Sequence, residues 1–146
     1  LNTLEPKKNT EFTVARFADY NSAQDLTAVE EQLVTEISKQ LAQDIALVLR
    51  EAKRLSAHVI LITSGNVGNA PILPRPIAFL WHRRTLQVRD IFMRASEEAG
   101  VTYVDLYREK RTDPFFLEPY RYHAIDLFHP SSEGYGLWYE ELKKSL

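Results

Sequence analysis

Apolar residues return at Val29, Leu33, Ile37, Leu41, Ile45 and Leu49, with Val34, Val48, Ala52 and Leu55 widening the stripe. Recurrence at every fourth position places one continuous apolar face along a long helix. Thr27 and Glu30 fit a capping box that starts this helix at Thr27, and the pattern runs out near Ser56. A helix with one apolar face needs a second layer to bury it, so this stripe constrains the fold more than any other feature.

The segments that follow supply that layer. Val59-Ile60-Leu61-Ile62-Thr63 is an unbroken, β-branched apolar run, which predicts a strand buried on both faces, as in a parallel sheet. Residues 12–17 (FTVARF) form a weaker strand, interrupted by Arg16, and Val101–Asp105 a third. Between Val59–Thr63 and Val101–Asp105, the residues Leu86, Val88, Ile91, Phe92, Ala95 and Ala99 predict a helix over Ile77–Ala99, with a break near Trp81-His82 and a stop at Gly100. Pro130-Ser131-Ser132 open a final helix carrying Leu137, Trp138, Leu142 and Leu146. Alternating strands and helices imply right-handed crossovers. The expected fold is α/β, a three-layer, flavodoxin-like parallel sheet with helices on both faces. Residues 1–11 read as a polar leader or arm, and residues 12–146 as a single domain.

In such a fold, functional residues gather at the C-terminal ends of the strands. Three segments meet there: the turn at 18–22, the Gly-, Asn- and Pro-rich loop at 64–76, and the stretch from Asp105 to His129, whose loop at 106–125 is rich in Tyr, Phe and Arg. Composition removes several kinds of chemistry. With 146 residues, a net charge of −2 and 45 % hydrophobic residues, the chain suits one globular domain and lacks the basic balance of a nucleic-acid binder. Cys is absent, so thiol nucleophiles, Cys-ligated zinc and iron–sulfur clusters are excluded. No apolar run approaches the roughly 20 residues of a membrane span. His58, His82, His123 and His129 are scattered, with no carboxylate at ligand spacing beyond Asp126, so neither metal nor cofactor is expected. The Gly65, Asn66, Gly68 loop lacks the P-loop lysine, which argues against nucleotide binding. Arg75, Arg83, Arg84 and Arg89 either meet an anion or form a solvated helix face.

Chemistry concentrates in Asp126-Leu127-Phe128-His129-Pro130. An Asp three residues before a His, on a turn leading into a helix, can fold its carboxylate onto imidazole Nδ1. This fixes the tautomer and leaves Nε2 as a general base. The alternative is an Asp that caps a turn and a His that packs. Ser64, in Thr63-Ser64-Gly65-Asn66 at a strand's end, is a candidate nucleophile, against an ordinary role in loop hydrogen bonding. His123, in an aromatic loop, either lines a pocket or lies on the surface.

The stretch DLFHPSSEGYGLWYEELKKSL, with VILITSGNVGNAPILPRPIAFLWHRR and GVTYVDL upstream, resembles the C-terminal part of the SGNH (GDSL) hydrolases over about residues 57–146. The resemblance implies a serine ester hydrolase of the esterase or lipase type, acting on a small-molecule ester without metal, nucleic acid or membrane span. It assigns the catalytic base to His129, its orienting acid to Asp126 and an oxyanion-hole donor to Asn21. The family's Gly-Asp-Ser block is not in this sequence, which leaves the nucleophile unidentified. The corresponding expectation is that the chain holds the last three strands of a sheet of about five and is incomplete at its N-terminus. The rival expectation is a non-catalytic binding or structural domain that lacks the nucleophile.

Overall fold

The computed structural model describes residues 23–146, with side chains from residue 28 onward. The expected arm at 1–11, the strand at 12–17 and the turn at 18–22 with Asn21 lie outside the described residues. The chain divides into two units, Leu1–Thr35 and Glu36–Leu146. The first is helical from Ala23, and the site described below lies wholly within the second.

Helix α1 spans Ala23–Leu55. It begins four residues before the expected cap at Thr27, because nothing in Ala-Gln-Asp-Leu stops helix propagation upstream. Its apolar stripe is used unevenly. Ile45 and Leu49 are buried, Leu49 to 2 % exposure, whereas Val29, Leu33, Ile37, Val48 and Leu55 are exposed.

Strand β1, Ile60–Ile62, runs parallel to β2, Thr102–Val104, with Leu61 opposite Tyr103. Among the described residues these two short strands are the whole sheet, and the chain is mostly helical. The three-layer parallel sheet with helices on both faces is therefore not the architecture found. The reason lies in which faces are covered. Val59 and Leu61 point the same way from β1 and pack, with Val101, against Ile45, Leu49 and Ala95 of the two long helices. On the other face, Val104 is buried while its partner Ile62 is 40 % exposed. The run at 59–63 is thus covered on one side and only in part on the other.

Helix α2, Arg75–Ala99, is continuous through Trp81-His82. Pro74 and Pro76 sit at its start, where a missing N–H costs nothing, and Gly100, at φ 61°, ends it in the left-handed conformation. Arg89 leaves the arginine face and donates two hydrogen bonds to Asp105 Oδ2, from Nε at 2.8 Å and Nη2 at 2.6 Å, tying α2 to the end of β2. The aromatic stretch expected to be loop contains two short helices, α3 at Pro114–Leu117 and α4 at Pro119–Tyr122. Helix α5, Ser132–Lys143, is capped by Ser131, whose Oγ accepts from Gly134 N–H at 3.1 Å. No helix among the described residues is long and apolar enough to cross a membrane.

Candidate active site at the mouth of an apolar cavity

The segment between α4 and α5 turns back on itself. His123 bridges antiparallel to Pro130, Ala124 N–H donates to the His129 carbonyl at 2.7 Å, and Ser131 N–H donates to the Tyr122 carbonyl at 2.9 Å. Inside this closed loop, Asp126 Oδ1 accepts from the backbone N–H groups of Phe128 and His129, each at 3.0 Å. Its Oδ2 accepts from His129 Nδ1 at 2.6 Å. Leu127, between them, adopts φ 55°, a left-handed conformation that costs a Cβ-bearing residue energy and is held here by the surrounding bonds. The hydrogen bond from His129, followed by those from the two backbone N–H groups, lowers the Asp126 carboxyl from the usual range to about 2. Asp126 is thus a carboxylate at neutral pH, and Nδ1 must carry the proton that joins them. The second nitrogen of a neutral His129 is then a free acceptor.

His129 lines a cavity of about 230 Å³. Phe115, Phe128, Tyr135 and Trp138 form aromatic walls, and Val67 and Ala70 close the side toward the 64–70 loop. The walls are interlocked: the Phe115 ring lies 5.5 Å from Trp138, 5.2 Å from His123 and 5.8 Å from Tyr122. Ser64 lines the same cavity from the end of β1. It is exposed and makes no side-chain hydrogen bond among the described residues.

The loop's shape comes from two buried asparagines. Asn66 Oδ1 accepts from Gly68 N–H at 3.1 Å and so starts a single 3-10 turn, Val67–Asn69. Its amide nitrogen lies 3.1 Å from His82 Nδ1 on α2. Gly68 is required by close approach, since a Cβ there would meet the Ala78 carbonyl oxygen and His82 at under 3 Å. Asn69 Nδ2 donates to Asp113 Oδ2 at 2.6 Å, across 44 residues of sequence. Asp113 caps α3 through Phe115 N–H at 3.0 Å. Burial pushes its carboxyl above the ordinary range, opposed by the hydrogen bonds from the Asn69 amide and the Phe115 N–H.

The structure therefore brings Ser64 and His129 to one cavity, with Asp126 bonded to His129 beside it; His123 lines the same cavity, the first of its two sequence readings, and Asp113, which sequence reasoning did not single out, joins them. His58 and His82 lie elsewhere, on the surface before β1 and against Asn66. No three metal-ligating side chains converge among the described residues. A signal for Asp113 was present in Asp113-Pro114, a capping residue followed by Pro at the first helical position. Nothing local pairs it with Asn69.

Comparison with known proteins finds no matching family model, no similar curated protein and no similar solved structure.

Proposed function

We propose that the chain is a serine ester hydrolase in which His129 is the general base and Asp126 its orienting acid. The observation that carries this reading is the 2.6 Å bond from His129 Nδ1 to a carboxylate of lowered pKa, made at the rim of an apolar cavity. Ser64 is the serine that shares this cavity, and we take it as nucleophile. Its oxygen attacks the acyl carbon and its proton passes to His129 Nε2. Collapse of the tetrahedral adduct hands that proton to the leaving alcohol, and water then releases the acid by the same route. Asp126 keeps the imidazole in the one tautomer that can accept. The apolar walls take the ester's hydrocarbon part. Asn21 stays in the proposal as an oxyanion donor on the strength of the sequence resemblance alone.

A second reading has its own support. No serine hydroxyl is hydrogen-bonded to His129 among the described residues, as expected of a cavity that binds without reacting. Hydrolysis of p-nitrophenyl butyrate and labelling by a fluorophosphonate separate the two. Turnover lost in His129→Ala, with the label on Ser64, is the expected result. A label on another serine, lost in His129→Ala, keeps the base and moves the nucleophile. Absence of both label and turnover sinks the hydrolase reading and leaves the binding one.

A further inference from the structure

Three polar side chains among the cavity's lining residues are buried: Asn66, Asp113 and His123. Two of them are fully occupied by the fold. Asn66 caps the 3-10 turn and meets His82. Asp113 has one oxygen on Asn69 and the other on Phe115 N–H. His123 differs. It is 7 % exposed, and its Nδ1 lies 3.1 Å from the Pro119 carbonyl oxygen. A carbonyl can only accept, so Nδ1 carries a proton there, and Nε2 of the neutral ring is an acceptor with a lone pair. Nε2 makes no hydrogen bond. No buried side-chain nitrogen or oxygen among the described residues lacks a partner, so Nε2 keeps contact with open space. His123 lines this cavity.

We propose that His123 is the cavity's specificity-determining residue: its Nε2 accepts a hydrogen bond from a hydroxyl or amide donor on an otherwise aromatic or aliphatic group seated in the cavity against Phe115 and Trp138. The size suits such a group. An apolar cavity of about 150 Å³ already holds a benzene ring, and this one, at about 230 Å³, leaves room for a substituent. A ligand that covers this acceptor without offering it a donor leaves it unpaired and is penalised, which is how a site of this kind selects. The proposal rests on the same cavity as the hydrolase reading and names which ester moiety that cavity prefers, a hydroxylated or amide-bearing one. Its test needs no turnover.

Phenol, anisole and toluene are titrated into the full chain while the His123 imidazole and Trp138 indole resonances are followed by NMR. Phenol offers a donor, anisole only an acceptor, and toluene neither. Phenol is expected to bind about tenfold more tightly than the other two, with the Nε2 resonance shifting as it gains a bond. His123→Phe, which keeps an aromatic ring against Phe115, should still take toluene and should bind phenol no better. Equal binding of the three rings by the native chain overturns the proposal. So does a preference for anisole, a phenol preference that survives His123→Phe, or failure of every ring to bind. If His123→Phe does not fold, the native ranking and the Nε2 shift still decide. A phenol preference in a chain without esterase activity would retire the hydrolase reading and leave this one standing.

Discussion

Asp126 accepts three hydrogen bonds, all from residues two and three positions downstream, and this couples its ionisation to the placing of His129. A carboxyl whose pKa is lowered on folding contributes stability above its unfolded pKa, and that contribution fades as pH falls through the folded value. Here the window lies between the ordinary carboxylate range and about 2. A carboxyl-carbon NMR titration should place the Asp126 midpoint near 2, and His129→Ala should move it back toward the ordinary range, because the His129 bond is the largest cause of the shift. Asp126→Asn tests the same bond from the chemical side. The amide oxygen can still accept from the backbone, but an NH₂ group can then face Nδ1 and favour the wrong tautomer. A fall in turnover on the order of 10⁴ is expected, as in a serine triad so altered, with little change in circular dichroism. This pair was readable from the sequence because three residues of spacing and a turn suffice to make it. Asp113 and Asn69 were not, because their bond exists only after loops 44 residues apart have met.

Helix boundaries were the most legible elements, since their signals are local. Gly100 ends α2 and Ser131 caps α5 as read from the sequence. The two prolines that open α3 and α4 carried the same kind of signal, hidden in a stretch whose aromatic content suggested loop. The strands were harder. A run such as Val59–Thr63 records that a backbone is extended and apolar, and it does not record how many strands or helices will cover it. Gly134 also gave no warning. It sits inside the first turn of α5, where a glycine ordinarily weakens a helix. Its reason is the neighbour: a Cβ there would overlap the Tyr122 carbonyl oxygen and press on the Phe115 ring. Gly134→Ala should cost about 1–3 kcal/mol by overpacking, seen as a lower Tm. It should also disturb the aromatic cluster, with the Phe115 and Trp138 ring resonances shifting more than those of α2.

At the scale of the whole molecule, the stripe on α1 predicts burial along its full length, and the structure divides it. Ile45 and Leu49 join Ala95 in the buried cluster, while Leu33 is 45 % exposed. Periodicity identifies a face without saying how much of it a partner will reach. Leu49→Ala should lower stability in a urea titration by about 2–5 kcal/mol, as a buried leucine does when a cavity is left behind. Leu33→Ala should stay within about 0.5 kcal/mol, as an exposed position does. Equal effects at the two sites would show that the first turns are covered in solution. The two-stranded sheet depends on this cluster as well, since a lone pair of short strands is marginal in water.

The turn that carries His129 is tied at its base by the Ala124 and Ser131 amides and within by the Leu127, Phe128 and His129 amides. Breaking the base releases the interior bonds with it, so these protons share one opening event. In deuterated water the amides of 124, 127, 128, 129 and 131 should exchange with a common free energy of opening rather than five separate ones. Asp126→Ala, which removes the interior acceptor, should speed all five together. The backbone that carries residue 129 then moves only with the whole turn, and the bond to Asp126 is what ties its exposed imidazole to that backbone.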